Sequence, residues 1–210
     1  MATPTIKVYS DYKSPYAYLA KDLICALERD TGARLEWLPY TLDIPAYLGS
    51  AKLDADGTVL EETRNPHQWR RVKYSYIDCR REANRRGLTI LGPRKIFDSS
   101  LANIGMLYAQ SQGVFHAYHD RVFERFWMRE LDIERAAALA EVLSECGADS
   151  AGFAAFAAQD GRRRLGEVQR EAEGKGVFGV PSFLLEDGDL YWGREHLPRI
   201  RELLTATRGV

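Results

Sequence analysis

The sequence has few cysteines, and no two of them form a recognisable motif. Cys25, Cys79 and Cys146 stand far apart in a chain of 210 residues, so a Cys-x-x-Cys redox pair and a zinc knuckle are both absent from it. Free cysteines usually behave as small apolar residues, and we expect all three to be buried. The spacing argues against thiol–disulfide exchange and against a structural zinc site.

Long apolar runs and an excess of charge of one sign are also lacking. No stretch of 18 apolar residues occurs, and the opening MATPTIKVYSDY lacks the basic head and apolar run of a signal peptide. The net charge of −1 favours neither nucleic acid nor an anionic membrane as a partner. We therefore expect a cytoplasmic protein with no membrane or nucleic-acid partner.

What is present is the composition of an ordinary globular protein. Hydrophobic residues make up 45% of the chain and charged residues 28%. A chain of this length suits one domain, or one domain with an inserted subdomain, and buries roughly 70% of its unfolded surface. It needs no metal ion or disulfide to fold.

The first 41 residues predict a β-α-β unit. Residues 6–12, IKVYSDY, alternate as a strand does, and from Ser14 the apolar residues change to a helical period that ends at Gly32. Residues 33–41 predict a second strand. A crossover of this kind favours parallel pairing of the two strands.

The rest of the chain predicts a helical block and then a hairpin. Residues 42–65 look irregular, with DADG as a turn. Helices are predicted at 65–87, 98–112, 114–128, 133–146, 150–158 and 161–174, with no clear strand among them. SFLLE and LYWG flank Asp187-Gly188, a strong hairpin signal, and a last helix covers about 195–206.

Two motifs are rejected because their context is wrong. Gly174-x-Gly176-x-x-Gly179 matches a dinucleotide-binding fingerprint, but it follows a helix and precedes a strand, the reverse of what a phosphate loop needs. His116-x-x-His119 has no third ligand at a recognised spacing. We predict no metal site.

The order of elements is similar to the thioredoxin fold with a large all-helical insertion. DYKSPYAYLA and GVFGVPSFLLEDGDLYWGREHL resemble the DsbA-like branch that lost its cysteines, which contains the kappa-class glutathione transferases and the 2-hydroxychromene-2-carboxylate isomerases. LANIGMLY at 101–108 resembles the isomerase subgroup. The implied thioredoxin-like domain comprises 1–65 and 175–210, and the helical insertion is 66–174.

Ser14 has both an ordinary and a functional interpretation. Ser14-Pro15 is a common helix start, with the serine as N-cap and the proline at the first helical position. A helix N-terminus also carries free N–H groups and partial positive charge, which stabilise a thiolate. Since no cysteine stands here, the sulfur would arrive on a ligand. The resemblance implies glutathione as the cofactor, with Ser14 as the catalytic residue that holds its thiolate.

Val180-Pro181 is the second predicted element of the site. A proline at the first residue of a strand is unremarkable by itself. In thioredoxin-like folds this proline is cis, and the resemblance implies that the Val180 N–H and C=O pair with the cysteinyl residue of glutathione.

Three charged residues are candidates for the ends of glutathione. The resemblance implies that Glu195, near the start of the last helix, binds the γ-glutamyl ammonium. Arg194 would pair with the γ-glutamyl carboxylate or would be solvated. Arg71 matches a lysine of the family pattern and would bind a carboxylate, with Lys13 and Lys52 as further candidates and a solvated surface as the alternative.

The resemblance implies a small electrophilic or aromatic substrate between the thioredoxin half and the insertion. Four aromatic residues are predicted to line that pocket: Tyr12, Tyr16, Tyr74 and Trp127. Relatives are often dimers, and the sequence leaves open whether this chain forms a homodimer. Two other functions remain open: a non-catalytic or peptide-binding protein on this fold, and a thiol–disulfide oxidoreductase, which the missing cysteines disfavour.

Overall fold

A computed structural model describes residues 3–206 of the chain. The strands are β1 (Thr5–Ser10), β2 (Arg34–Pro39), β3 (Ala51–Leu53), β4 (Val59–Glu62), β5 (Ser182–Leu184) and β6 (Leu190–Trp192). The helices are α1 (Pro15–Thr31), α2 (Ile44–Leu48), α3 (Pro66–Arg85), α4 (Ser100–Ser111), α5 (Phe115–Trp127), α6 (Ala136–Glu145), α7 (Phe153–Ala158), α8 (Asp160–Gly174) and α9 (Leu197–Ala206).

The main sheet has the order β2-β1-β5-β6. β1 pairs parallel with β2 and antiparallel with β5, and β5 pairs antiparallel with β6. The parallel β-α-β unit and the hairpin around Asp187-Gly188 are thereby confirmed, and with them the thioredoxin-like fold.

α1 begins where the sequence changes from alternation to a helical period. Ser14 caps the helix, Pro15 occupies its first turn, and Gly32 ends it in a left-handed conformation with φ at 62°. Leu23, one of the apolar residues that follow the predicted helical period, is 41% exposed, whereas the neighbouring Ile24 is buried. α1 packs against α3 and α9.

Residues 42–65 are more regular than the sequence predicts. They contain α2, capped by Asp43, and an antiparallel hairpin of β3 and β4 that forms a second, separate sheet. The DADG turn connects the two strands of this hairpin. Every residue of β4 is exposed, so the strand has no buried face that an alternating pattern would show.

Between residues 66 and 174 the chain forms the six helices α3–α8 and no strand. α4 is largely buried from Ala102 to Ala109, which places it at the centre of the helical block. The predicted division at 1–65, 66–174 and 175–210 stays a prediction, and its ends at 1–2 and 207–210 lie outside the described residues.

The last predicted helix starts later than the sequence indicates. Arg194–His196 form one turn of 3-10 helix, and α9 begins at Leu197. Pro198 lies in the first turn of α9, as predicted, because a proline is tolerated there. Within residues 3–206, no helix is both long and apolar enough to cross a membrane.

Candidate functional site

Ser14 and the first turn of α1 offer unused hydrogen-bond donors. The Ser14 Oγ accepts a hydrogen bond from the Ala17 N–H at 3.2 Å, which leaves the hydroxyl proton free to be donated. The Tyr16 N–H has no acceptor within residues 3–206. Ser14 is only 4% exposed, so a ligand atom that reaches it is shielded from water. Two donors thus lie at the positive end of a 17-residue helix.

The segment before β5 presents unpaired backbone groups. The Val180–Pro181 peptide bond is cis. Neither the N–H nor the C=O of Val180 forms a hydrogen bond within the described part of the chain. Next to them, Gly193 N–H donates to the Pro181 carbonyl at 2.9 Å. Val180 therefore keeps one donor and one acceptor, as a short extended ligand would require.

Arg194 is not a simply solvated side chain. Its Nη1 is buried and has no hydrogen-bond partner in residues 3–206. Burial raises the pKa of Cys79 on α3 to about 11, and the positive charge of Arg194 opposes that rise, so the guanidinium lies close to α3. Glu195 is exposed, and its carboxylate lies against the backbone of Gly193. Arg194 is a cation with an unused N–H facing the protein interior.

Tyr16 joins the first turn of α1 to α3. Its hydroxyl donates to Asp78 Oδ2 at 3.4 Å, and burial raises the pKa of Tyr16 to about 12, so the hydroxyl keeps its proton at neutral pH. Tyr74, one turn before Asp78, is 62% exposed. The two tyrosines therefore lie in different surroundings, Tyr16 at the junction of the helices and Tyr74 at the outer surface.

The three basic candidates differ in their partners. Lys13 is buried, with its Nζ 3.9 Å from Asp11 Oδ2, and Lys52 Nζ lies 3.8 Å from Glu61 Oε1 in the β3–β4 hairpin. The exposed Arg71 side chain forms no hydrogen bond and no ion pair within the residues described. Arg71 is the one of these three cations that remains unpaired for a ligand carboxylate.

Tyr12 and Trp127 are core residues, and the prediction that they line a pocket is wrong. Both are 0% exposed. Tyr12 packs edge-on against Tyr118 and its hydroxyl lies 3.2 Å from His119 Nδ1, while Trp127 stacks on Tyr18. Both residues are buried because α5, to which Trp127 belongs, packs a row of aromatic rings against the start of α1.

A buried polar network behind Ser14 was missed in the sequence. Asp11 is wholly buried, its carbonyl accepts the Ser14 N–H at 3.0 Å, and its Oδ2 accepts the Leu42 N–H at 2.8 Å. Asn103 Nδ2 lies 2.9 Å from Thr41 Oγ1 and 3.5 Å from Asp11 Oδ1. The signal that could have found the network is Asn103 itself, a single amide within the apolar run LANIGMLYA.

The cysteines offer no reactive thiol at this site. All three are unpaired, and only Cys79 is fully buried, which corrects the prediction that all are. Burial raises the pKa of Cys25 and Cys146 as well as that of Cys79. Because the thiolate is the nucleophile, thiols with raised pKa values are poor catalysts of disulfide exchange.

The first turn of α1, Val180 and Arg194 all carry hydrogen-bonding groups that have no partner in the described residues. The donors are the Ser14 O–H, the Tyr16 N–H, the Val180 N–H and the Arg194 Nη1, and the Val180 carbonyl is the acceptor. Within residues 3–206, no three His, Cys, Asp or Glu side chains are placed to bind a metal ion.

The comparison with protein families gives one match over nearly the whole chain. The family described as DSBA-like thioredoxin domain matches residues 5–205. The 2-hydroxychromene-2-carboxylate isomerase of Sphingobium xenophagum is 27% identical over 203 residues, which cover 96% of this chain and 98% of that protein.

Two solved structures show the same fold. A 2-hydroxychromene-2-carboxylate isomerase superposes with a TM-score of 0.75 at 23% identity and covers 97% of this chain and 95% of its own. The cytosolic disulfide reductase DsbM from Pseudomonas aeruginosa, solved with GSH, gives a TM-score of 0.66 at 18% identity and covers 98% of this chain and all (100%) of its own.

Proposed function

Because the chain belongs to the family of DSBA-like thioredoxin domains, we propose that it is a glutathione-dependent isomerase of the 2-hydroxychromene-2-carboxylate isomerase type. A relative of that name matches it over almost its full length. A structural neighbour with the same fold was solved with GSH, which supports glutathione as the ligand. The substrate would be a small electrophilic or aromatic molecule.

One observation carries this proposal. The helix terminus that holds a cysteine in thiol–disulfide enzymes has Ser14 here, with a shielded hydroxyl proton that has no partner in the described chain. Such a hydroxyl can stabilise a thiolate that the polypeptide does not supply. When bound, glutathione would provide that thiolate, which adds to a conjugated carbon of the substrate and leaves again after the neighbouring bond has rotated.

The remaining residues would hold glutathione along its length. Val180 would pair through its backbone with the cysteinyl residue, and Arg194 would bind a carboxylate with its buried Nη1. Glu195 would bind the γ-glutamyl ammonium and Arg71 a second carboxylate. Tyr16 would position α3 against α1 through Asp78. A cytoplasmic location and a homodimer are part of the same proposal.

The test is the ionisation of bound glutathione, followed by thiolate absorbance as a function of pH. We expect wild type to lower the thiol pKa by at least about one unit, which corresponds to about 1.4 kcal/mol. Ser14→Ala should lose most of that shift, whereas Ser14→Thr, which keeps a hydroxyl, should retain it. Ser111→Ala, on α4, serves as the control and should behave as wild type.

The variant Ser14→Asp distinguishes two effects of replacing Ser14, the loss of the helix cap and the loss of the hydrogen bond to the glutathione thiolate. An aspartate keeps the cap, whose removal by alanine costs about 1 kcal/mol, but its charge repels a thiolate. We expect Ser14→Asp to fold normally and to abolish the shift. An unchanged shift in Ser14→Ala would mean that Ser14 is only a cap.

Calorimetry with glutathione separates the proposal from a non-catalytic binding protein. Absence of binding at millimolar concentration would favour the latter. If glutathione binds, its consumption distinguishes two kinds of enzyme. An isomerase returns glutathione unchanged, whereas a kappa-class-like transferase retains the new carbon–sulfur bond in its product and consumes one glutathione per turnover.

A further inference from the structure

Exposed large apolar side chains are concentrated in one part of the chain. Nine such side chains are exposed in the described residues, and six of them lie between residues 47 and 91. These six are Tyr47, Val59, Leu60, Tyr74, Ile77 and Leu91. A single exposed apolar residue is ordinary, whereas a concentration of them marks a surface that another molecule covers.

The outward side of α3 surrounds two of these apolar residues with cations. Positions three and four apart share one side of a helix, and six exposed residues of α3 do so. We call them the basic face of α3: Arg70, Lys73, Tyr74, Ile77, Arg81 and Arg85. None of the six is acidic. The side chains of Arg70 and Arg81 form no ion pair and no hydrogen bond within residues 3–206, so their charges are free for a partner.

The β3–β4 hairpin has the opposite charge. Residues 51–62 contain four carboxylates and one cation, Lys52. The hairpin lies beside the start of α3, because Trp69 Nε1 donates a hydrogen bond to Glu62 of β4. An acidic surface and a basic surface thus stand next to each other on one molecule.

β4 also leaves its apolar residues uncovered. Val59 is 42% exposed and Leu60 57% exposed, and the second sheet consists of β3 and β4 alone. One edge of β4 therefore has no strand partner, and such edges are normally protected or paired. Within the described residues, the fold gives no reason for two adjacent apolar side chains at this position.

A second copy of this chain matches both surfaces at once. A two-fold axis places the hairpin of each copy on the basic face of the other, so that every contact occurs twice. Carboxylates then meet cations, and the apolar residues of both surfaces leave water together. α3 has 20 residues and is therefore about 30 Å long, comparable to the width of an interface that buries about 800 Å² on each partner.

A nucleic acid or an anionic membrane fits this region less well. The carboxylates of the hairpin border the basic face and repel a phosphate surface, and the net charge of −1 gives no overall attraction. Either partner also leaves Val59 and Leu60 without an apolar contact.

We propose that a second copy of the chain docks its β3–β4 hairpin on the basic face of α3, reciprocally across a two-fold axis. Tyr74 and Ile77 pack against the apolar residues of the hairpin, and Arg70 and Arg81 pair with its carboxylates. This assigns an interface to the homodimer that is part of the function proposed above, while the docking itself does not require glutathione.

The test is sedimentation of the ligand-free protein over a concentration series at low ionic strength, where surface charges are least screened. Wild type should form dimers. The helix-reversed variant combines Arg70→Glu, Lys73→Glu and Arg81→Glu, and the hairpin-reversed variant combines Asp56→Lys and Glu61→Lys. Each should weaken the dimer at least about tenfold, because like charges then face each other at both contacts.

An equimolar mixture of the two variants makes the test specific to these surfaces. Each variant repels a copy of itself, but the glutamates of one face the lysines of the other at both contacts. Mixed dimers should therefore form with an affinity close to that of wild type. A dimer built through any other surface predicts no such recovery.

The matched charge control combines Arg121→Glu, Arg164→Glu and Arg170→Glu, at exposed positions outside the two surfaces. It changes the net charge as much as the helix-reversed variant does and should sediment as wild type. Thermal melts followed by circular dichroism check that all the variants fold.

The apolar part of the interface is tested with Leu60→Ser and Ile77→Ser. Each removes a side chain that is buried twice per dimer, so each should weaken the dimer at least about tenfold. Leu23→Ser is the control, because Leu23 is similarly exposed but lies on α1. It should leave the dimer unchanged.

Four results would overturn the proposal: a wild-type monomer throughout the series, wild-type dimers in both charge-reversed variants, no mixed dimer, and an equal loss in either control. Binding of a wild-type monomer to a DNA duplex, lost in the helix-reversed variant, would show instead that an anionic polymer covers the basic face. The thiolate titration on wild type is independent of sedimentation. A normal thiolate without this dimer defeats the interface alone, and the reverse pattern defeats the glutathione proposal alone.

Discussion

Replacement of Arg194 is predicted to change the stability of the ligand-free protein and its affinity for glutathione in opposite directions. Its Nη1 is buried without a partner in the described chain, and an unsatisfied buried donor costs about 1–3 kcal/mol. Arg194→Met removes that donor while it keeps an unbranched apolar stem. We expect the ligand-free variant to be as stable as wild type or more stable by up to about 2 kcal/mol.

Binding should change in the other direction. If Arg194 Nη1 donates to a carboxylate of glutathione, the lost hydrogen bond involves charged groups and is worth about 1.5–3 kcal/mol. That is a weakening of roughly tenfold to more than a hundredfold in glutathione affinity. Arg194→Lys should not restore it fully, because a lysine cannot reproduce the planar fork of a guanidinium.

The assay is urea denaturation followed by circular dichroism, with and without glutathione, together with calorimetry. A bound ligand raises the apparent stability by mass action, so glutathione should stabilise wild type far more than Arg194→Met at the same concentration. Arg199→Met is the matched control. Arg199 is exposed on α9 and pairs with Glu202 at 3.1 Å, a surface ion pair that contributes about 0–1 kcal/mol.

Two outcomes would refute the reasoning. A ligand-free Arg194→Met variant that is less stable by more than about 1 kcal/mol would mean that the guanidinium already has a stabilising partner. Unchanged glutathione affinity in that variant would show that the unused N–H does not serve this ligand.

Two further predictions concern the buried interior. Burial raises the pKa of Asp11, so its charged form destabilises the native state above that pKa and the penalty is relieved as pH falls towards 3.8. Asp11→Asn should therefore match or exceed wild type in urea at pH 7 and lose that advantage progressively as the pH falls towards 3.8; an advantage that grows on acidification would contradict this sign. Gly105→Ala should destabilise the fold by about 1–3 kcal/mol in thermal melts, because the new Cβ overlaps the hydroxyl of the buried Tyr118, which donates to Ala102; a neutral Gly105→Ala would show that this ring can move aside.

The proposed function also requires that the protein's own cysteines do not supply the reactive thiolate. The chain has no thiol at the start of α1, and burial raises the pKa values of the three thiols that it has. The shared fold of the disulfide reductase neighbour therefore does not carry over its chemistry. At the start of α1 this chain has Ser14, whose hydroxyl can donate a hydrogen bond to a ligand.

The sequence by itself determined the elements whose signals are local. A cap, a proline and a glycine set the ends of α1, and a two-residue turn at Asp187-Gly188 set the hairpin of β5 and β6. These interactions connect residues a few positions apart, so their pattern survives in the sequence. The placement of Ser14 and of Val180-Pro181 at the ends of such elements followed from the same local signals.

Only the tertiary structure decided which side chains face a ligand. Tyr12 and Trp127 look like pocket residues in the sequence, but both are buried, Tyr12 against the aromatic rings of α5 and Trp127, within α5, against Tyr18. For Arg194 the sequence left two alternatives open, an ion pair with a ligand or a solvated side chain, and the structure shows that its Nη1 is buried. A cleft of about 510 Å³ lies between α4 and α8, because these two helices, far apart in sequence, do not fill the space between them. Burial of a side chain and the volume of a cleft depend on contacts between distant segments, and no periodicity within one segment records them.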